Sequence, residues 1–393
     1  MSLNSTPSSD RVHIGIFGRR NAGKSSVINA LTGQDFAIVS DVKGTTTDPV
    51  YKTMELLPLG PVMIIDTPGI DDRGELGKLR VNRSYQVLNK TDIAVVVINS
   101  AQGKTFDDEK LIDKIKDKNI PFVVVYNKSD CKKIGVTQNN EISVSAKTNE
   151  NINELKELIA AQLKTETVTK KLVGDLLKPN DFVVLVIPID SSAPKGRLIL
   201  PQQQTIRDIL ESGAAAIACR DTELTQTLKN LGKPPALVIT DSQAFGKVSK
   251  AIPKNIPLTS FSILFSRMKG NLTSQVNGAK SIDKLNDNDI VLISEGCTHH
   301  RQCEDIGTVK IPKWLGEYTG KSLNFEFTSG CEFPDDLSKY KLIIHCGGCM
   351  LNEREMQYRL KCADDQNVLM TNYGTAIAYI HGILERSLEP FNI

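Results

Sequence analysis

The sequence contains no hydrophobic run long enough to cross a membrane and no excess of charge of one sign. Its longest apolar stretches, such as residues 93–98 and 182–189, have the length of a strand, whereas a spanning helix needs about 20 apolar residues. Lysine and arginine number 48 against 46 aspartates and glutamates, so the net charge of +2 creates no bulk field that would recruit nucleic acid or anionic lipid. We therefore expect no membrane span and no nucleic-acid partner.

Aromatic residues are also scarce, at 5% with a single tryptophan, but the 40% of hydrophobic and 24% of charged residues are typical of globular proteins. A length of 393 residues predicts two or three domains. Residues 1–10 are polar and lack the apolar core of a secretory signal, which favours a disordered tail and a cytoplasmic location.

Cysteine and histidine are concentrated near the carboxyl terminus. Six of the eight cysteines and four of the five histidines follow residue 296. A reducing compartment disfavours a disulfide framework, so this concentration of soft ligands indicates metal binding.

Strand-like and helix-like segments alternate along three blocks, which predicts the α/β class with parallel sheets covered by helices. The first block, residues 11–168, is expected to form a mostly parallel sheet with helices on both faces. Residues 169–265 and 266–393 repeat the alternation and are expected to form two smaller parallel-sheet domains.

A glycine-rich segment, residues 18–25 (GRRNAGKS), follows an apolar strand and opens a helix. This context is typical of a phosphate-binding loop, in which backbone N–H groups converge on the phosphates at a helix N-terminus. Lys24 is expected to reach the outer phosphates, and the Ser25 hydroxyl is expected to bind Mg²⁺.

Four further motifs follow in a fixed order and predict that the nucleotide is GTP. Residues 44–48 (GTTTD) supply a switch threonine, and residues 66–69 (DTPG) place a carboxylate near Mg²⁺. Residues 127–130 (NKSD) offer a carboxylate that accepts both N–H donors of a guanine edge, and residues 145–147 (SAK) close the base pocket. The predicted GTP-contacting residues are Gly18, Asn21, Ala22, Gly23, Lys24, Ser25, Ser26, Thr46, Asp66, Gly69, Asn127, Lys128, Asp130, Ser145, Ala146 and Lys147.

On these motifs, the first block resembles the GTPases of tRNA modification and ribosome assembly. The resemblance implies potassium-stimulated hydrolysis of GTP, with Mg²⁺ on Ser25 and Thr46. It further implies a potassium ion held by Asn21. A potassium-binding loop would complete the coordination of this ion, and the candidate residues in that loop are Ser40, Val42 and Thr45.

Ile70 occupies the position at which Ras-type GTPases carry a water-orienting glutamine. An isoleucine cannot orient water, so intrinsic hydrolysis is expected to be slow and the catalytic group is left unassigned. Asp71, Asp72 and Glu75 are polar substitutes, but acidic residues in such a loop are more often simply solvated.

Two cysteine motifs follow predicted strands in the last block. Cys297 and His299 form a C-x-H motif, and His345, Cys346 and Cys349 form an H-C-x-x-C motif. Parallel sheets form ligand crevices beyond the carboxyl ends of their strands, so the two motifs can meet. The spacing suits an iron–sulfur cluster and a structural zinc ion equally well, while a redox C-x-x-C is a weaker third interpretation.

The order of a GTPase block, two further α/β blocks and this terminal motif resembles the [FeFe]-hydrogenase maturation GTPases along essentially the whole chain. The resemblance implies a [4Fe-4S] cluster on Cys297, Cys346 and Cys349 with an exchangeable fourth position. The candidates for that position are His299, His300, His345, Asp305, Glu304 and a solvent molecule.

The same resemblance implies a scaffold that receives a two-iron precursor built with radical-SAM maturases and delivers it to apo-[FeFe]-hydrogenase. It also implies a homodimer formed through residues 169–265, although a buried strand would explain the small apolar residues there equally well. The alternative function is an RNA-modification or ribosome-assembly GTPase with a structural zinc site.

Overall fold

The computed structural model describes residues 6–33, 49–72, 74–136, 138–163, 170–189, 198–296, 305–330 and 332–392. The chain divides into two compact units, Met1–Val168 and Thr169–Ile393. Within the described ranges, no helix is both long enough and apolar enough to span a membrane.

The first unit is built on one six-stranded sheet flanked by helices. Its strands run in the order β2-β3-β1-β4-β5-β6, and β2 alone is antiparallel to its neighbour. The strands are β1 (Val12–Phe17), β2 (Val50–Leu56), β3 (Gly60–Asp66), β4 (Ile93–Asn99), β5 (Phe122–Asn127) and β6 (Glu141–Val144). The helices are α1 (Lys24–Thr32), α2 (Glu75–Leu88), α3 (Phe106–Asp117) and α4 (Ile152–Leu163).

Both faces of this sheet are covered, which explains why its central strands are continuous apolar runs. Along β4, Val95 packs into the core on one face, and Val96 packs into the core on the other. A strand with no solvated face keeps valine and isoleucine at successive positions instead of alternating them with polar residues.

The second unit contains two four-stranded sheets, and every pair of neighbouring strands in them is parallel. The first has the order β10-β9-β7-β8 and the second the order β12-β11-β13-β14. The strands are β7 (Phe182–Val186), β8 (Ala215–Cys219), β9 (Leu237–Thr240), β10 (Leu258–Ser260), β11 (Ile290–Glu295), β12 (Asn324–Ser329), β13 (Leu342–His345) and β14 (Leu369–Asn372).

Helices surround both sheets and join their cores. They are α5 (Leu200–Glu211), α6 (Leu224–Asn230), α7 (Phe245–Ala251), α8 (Phe261–Lys269), α9 (Leu272–Lys280), α10 (Ile311–Thr319), α11 (Glu353–Asp365), α12 (Tyr373–Ile380) and α13 (Leu384–Leu388). Leu384 and Leu388 of α13 belong to the same core cluster as Val184 of β7, so the end of the chain packs against the first of the two sheets.

The predicted α/β class is confirmed, with one difference in how the second unit is organised. Helix α8 spans Phe261–Lys269, so the boundary expected between residues 265 and 266 falls inside a helix. Phe261, Leu264 and Phe265 pack with Leu185 of β7, which ties this helix to the first sheet. The pattern of the sequence marks this segment as apolar but does not show which sheet it covers.

We expect Gly278→Ala to destabilise the second unit, because α9 lies directly against β14. A Cβ atom at Gly278 would lie 2.3 Å from the carbonyl oxygen of Met370, a backbone atom that cannot move aside alone. Overpacking of this kind costs about 1–3 kcal/mol, which a lowered unfolding midpoint in urea would reveal.

Gly316→Ala in α10 is the matched control, since its Cβ would meet nothing closer than the Lys321 carbonyl oxygen at 4.0 Å. Alanine is favoured over glycine within a helix by about 0.5–1 kcal/mol, so this variant should be slightly stabilised. Equal midpoints for the two variants would contradict the close approach of α9 and β14.

Candidate nucleotide and cysteine sites

The phosphate-binding loop lies between β1 and α1. Gly18 has a φ of +139°, and a Cβ atom there would lie 2.2 Å from the carbonyl oxygen of Val97, so only glycine fits. Helix α1 begins at Lys24, directly after the loop, so its first backbone N–H groups are available to an anion.

Lys24 and Asp66 lie together beneath this loop. The Lys24 ammonium donates to the carbonyl oxygens of Gly18 and Arg19, each at 2.9 Å. Burial lowers the pKa of Lys24, and Asp66 opposes this shift. Burial likewise raises the pKa of Asp66, and Lys24 opposes it.

The residues predicted to bind Mg²⁺ fit that ion as far as they are described. The Ser25 hydroxyl donates to Oδ2 of Asp66 at 3.2 Å, while Oδ1 of Asp66 is buried and has no hydrogen-bond partner among the described residues. A hydroxyl and a carboxylate are ligands that Mg²⁺ prefers. Thr46, the second predicted ligand, and the potassium-loop candidates Ser40, Val42 and Thr45 lie outside the described residues.

The structure brings the two base-pocket motifs to the phosphate-binding loop. The Asn127 amide donates to the Ala22 carbonyl oxygen at 3.2 Å and accepts from the Ala146 N–H at 3.1 Å. The Lys128 ammonium donates to the Asn21 carbonyl oxygen at 3.1 Å. Since β1, β5 and β6 are parallel strands of one sheet, the segments that follow them emerge at the same edge.

Asp130 and Ser145 are in direct contact in this pocket. The Ser145 hydroxyl donates to Oδ1 of Asp130 at 2.7 Å, and this bond is the main cause of a lowered pKa for the exposed Asp130. The carboxylate is therefore held ionised, as an acceptor for the two N–H donors of guanine must be. Lys147 is exposed beside it.

Ile70 is only 6% exposed and belongs to the core of the first unit. The two acidic residues after Ile70 were expected to be simply solvated, but both contact Arg20 of the phosphate-binding loop. Asp71 accepts from the Arg20 backbone N–H at 2.7 Å, and Asp72 forms an ion pair with the Arg20 side chain at 2.8 Å. Arg20 in the loop is the sequence signal from which this pairing could be predicted. The Glu75 side chain lies outside the described part of the chain.

The H-C-x-x-C motif begins at His345, the last residue of β13, and continues into the loop that leads to α11. The Cys346 sulfur accepts hydrogen bonds from the backbone N–H groups of Gly296, at 3.1 Å, and Gly348, at 3.4 Å. Gly296 follows β11, so the two strands bring residues from distant parts of the sequence together. Burial raises the pKa of Cys346, and the two backbone donors oppose that shift.

Cys349, the second cysteine of the motif, is partly buried in the same loop. Burial raises the pKa of Cys349 to about 11, the neighbouring Cys346 adds to the shift, and the Lys269 ammonium opposes it. Two thiols at this spacing, one of them facing backbone N–H donors, form a donor set that suits thiolate ligation of iron–sulfur clusters. The described residues therefore fit the cluster that the sequence implies.

His345 is fully buried, and both of its ring nitrogens are engaged. Arg359 can only donate, so its contact of 3.0 Å identifies Nε2 of His345 as an acceptor and Nδ1 as the protonated nitrogen. Nδ1 then donates to the Cys346 carbonyl oxygen at 2.7 Å. Burial, followed by the charge of Arg359, lowers the pKa of His345 to about 3, so this ring is neutral.

Arg359 was not identified from the sequence. Its side chain is fully buried and donates to Glu355 at 3.0 Å, to the Gly330 carbonyl oxygen at 2.7 Å and to the Ser294 hydroxyl at 3.4 Å. Helical spacing to Glu355 was the available signal, but the same spacing occurs in exposed pairs.

Of the other predicted ligands, Asp305 alone is described. Its Oδ2 accepts from the backbone N–H of Thr308 at 2.8 Å and from the Thr308 hydroxyl at 2.9 Å, at the start of a short π-helical segment. Within the described ranges, no group of three or more histidine, cysteine or acidic residues is arranged to hold a metal ion. The remaining candidates lie outside those ranges, namely Cys297, His299, His300 and Glu304.

Two family models match the second unit. Residues 172–270 match the family model described as the hydrogen maturase F dimerization domain, and residues 273–390 match that of the hydrogen maturase F tetramerization domain. The two models together cover more than half of the 393 residues. The chain belongs to the hydrogen maturase F family. This confirms the resemblance drawn from the sequence, and both descriptions support self-association.

The first unit has a separate set of relatives. Residues 13–128 match the family model of the 50S ribosome-binding GTPase. The tRNA modification GTPase MnmE of Lactobacillus helveticus is 40% identical over 154 residues, which cover 37% of this chain and 32% of that protein. MnmE of Streptococcus agalactiae serotype Ia is 36% identical over 148 residues, with the same two coverages. The chain thus spans about a third of the length of these curated relatives.

Two solved structures with low similarity to this chain are the following. An Era variant of Aquifex aeolicus bound to GDP and AlF₄⁻ has a TM-score of 0.36 and 21% identity, and the match covers 53% of this chain and 92% of that one. A probable GTP-binding protein, engB, has a TM-score of 0.31 and 23% identity, with coverages of 39% and 99%.

We expect Arg359→Met to destabilise the second unit by about 3–5 kcal/mol, because it leaves a buried carboxylate, Glu355, without its cation. Chemical unfolding of the metal-free protein measures this loss. Arg207→Met is the matched control, since Arg207 and Glu211 form an i,i+4 pair on an exposed helix face. If both variants unfold at the same denaturant concentration, the Arg359 network contributes nothing beyond a surface pair.

Proposed function

We propose that this chain is a GTP-hydrolysing scaffold that binds a [4Fe-4S] cluster and delivers a two-iron precursor to apo-[FeFe]-hydrogenase. The observation that carries the proposal is the position of the Cys346 sulfur, 3.1 Å from the N–H of Gly296. Gly296 directly precedes Cys297. We therefore propose Cys297 as the third thiolate ligand, together with Cys346 and Cys349.

Three thiolates from Cys297, Cys346 and Cys349 would hold three irons and leave the fourth with an exchangeable ligand. His345 is disfavoured for that position, because both of its ring nitrogens are already hydrogen-bonded. We therefore propose Asp305, His299, His300, Glu304 or solvent as the fourth ligand. When bound, the cluster would offer the two-iron precursor an iron with a replaceable ligand.

The first unit would bind and hydrolyse GTP with Mg²⁺ and potassium. Asn127 connects the base pocket to the phosphate-binding loop, and the ionised Asp130 supports recognition of guanine. Because Ile70 is buried and carries no polar group, hydrolysis would be slow and would act as a switch for partner docking or release. The proposed partners are a second copy of this chain, radical-SAM maturases and apo-hydrogenase, in the cytoplasm.

We expect about four iron and four sulfide ions per chain after anaerobic reconstitution. Combining Cys297→Ala, Cys346→Ala and Cys349→Ala should abolish this content, because no cysteine of the two motifs would remain. Iron, acid-labile sulfide and zinc analyses provide the measurement.

The control combines Cys219→Ala in β8 with Cys362→Ala in α11, two cysteines of the same unit that lie outside both motifs. This variant should keep its full cluster content. One zinc ion per parent chain without sulfide would exclude the scaffold and favour a zinc-stabilised GTPase.

We expect potassium to accelerate GTP hydrolysis relative to sodium, and Asn21→Gly to remove this difference. Asn21 has a φ of 58°, which glycine adopts without strain, so the variant removes the side-chain amide and leaves the backbone conformation available. Steady-state phosphate release in the two salts measures the effect.

Asn119→Gly serves as control, because Asn119 follows α3 with a similar φ of 50° and lies outside the predicted site. This variant should retain the potassium effect. Equal rates in the two salts for the parent chain would refute the role assigned to Asn21.

A further inference from the structure

A second buried cation, Lys269, contacts the cysteine loop. Lys269 is the last residue of α8 and is only 4% exposed. Its ammonium donates to the carbonyl oxygens of Leu351 at 2.8 Å, Cys349 at 3.3 Å and Gly348 at 3.5 Å. Three carbonyl groups of one short loop therefore converge on one charge.

The backbone of Lys269 is also fixed. Its carbonyl oxygen accepts from the Gln357 side chain of α11 at 3.0 Å. The end of α8 is thereby tied to the helix that follows the cysteine loop. A cation at the last turn of a helix is also favoured by the partial negative charge of that terminus.

Lys269 also fixes the residue that donates to Cys346. The Gly348 carbonyl oxygen accepts from the Lys269 ammonium, and the Gly348 N–H donates to the Cys346 sulfur. A carbonyl oxygen held by Lys269 does not turn toward a sulfur atom, where it would repel a thiolate, and the Gly348 N–H stabilises that thiolate.

Lys269 also acts on Cys349 by its charge. The ammonium lies 3.3 Å from the carbonyl oxygen of Cys349, so its charge is close to this ligand. In a poorly solvated loop such a charge is weakly screened, so it favours any state with more negative charge on the sulfur ligands, including the reduced state of a bound cluster.

We propose that Lys269 is a positioning residue of the cysteine site, which orients the loop of residues 346–351 and raises the reduction potential of the cluster held there. This inference rests on the proposed function, because it assigns a residue to the cluster-binding site. Nothing in the spacing of the cysteine motifs indicates it, since Lys269 precedes Cys346 by 77 residues.

The test compares anaerobically reconstituted variants by their midpoint potential, followed by electron paramagnetic resonance, and by the rate of iron loss to a ferrous chelator. Lys269→Met removes the charge and the donors, and Lys269→Gln removes the charge while keeping an N–H donor. Lys269→Arg keeps the charge. Lys280→Met is the matched control, because Lys280 ends the next helix, α9, and is exposed.

We expect a more negative midpoint potential in Lys269→Met and Lys269→Gln, and the parent value in Lys269→Arg and Lys280→Met. Loss of a group that orients metal ligands commonly weakens metal binding by 10–100-fold, so iron loss from Lys269→Met should be about tenfold faster. If thermal unfolding shows that Lys269→Met does not fold, the potential of Lys269→Gln decides.

If Lys269→Gln holds its cluster and that cluster has the same midpoint potential as in the parent protein, the inference is overturned and the scaffold function remains intact. A parent chain that takes up no iron and sulfide would overturn both. The iron and sulfide content of the parent chain therefore shows whether the proposed function or only the role of Lys269 is wrong.

Discussion

Parallel pairing between β11 and β13 is the contact on which the cysteine site depends. Ser294 lies opposite His345 in this register, and the Cys346 N–H donates to the Ser294 carbonyl oxygen at 2.9 Å. Gly296 and Cys346 are thereby brought together although 50 residues separate them. A different register would separate the two loops that carry the cysteine motifs, because parallel strands deliver their loops to one edge only when they are aligned.

Burial of polar and charged groups is the second constraint common to both units. In the first unit, burial lowers the pKa of Lys24 and raises that of Asp66, so each loses part of its tendency to be charged. A magnesium nucleotide brings negative phosphates and a cation to these groups and would favour their charged forms. In the second unit, burial likewise disfavours the thiolate of Cys349, and backbone donors and a nearby cation oppose it.

Much of the fold and of the nucleotide site could be predicted from the sequence because both rest on short-range patterns. Buried parallel strands require continuous apolar runs, and the phosphate-binding loop requires glycine where a Cβ would meet Val97. The pairing of Asp71 and Asp72 with Arg20 could not be predicted in this way. It depends on how the segment after β3 folds over the loop after β1, and charge patterning alone favours solvated carboxylates.

The sequence by itself determined the α/β class, the order of the GTPase motifs and the two cysteine motifs that carry the resemblance to the family. These features depend on residue type and spacing, which the chain carries locally. The tertiary structure alone decided that His345 is neutral and hydrogen-bonded at both nitrogens, that Arg359 is buried beside it, and that Lys269 collects the carbonyls of the cysteine loop. A buried cation is recognisable only from the groups that surround it, and those groups come from parts of the chain that meet only in the folded protein.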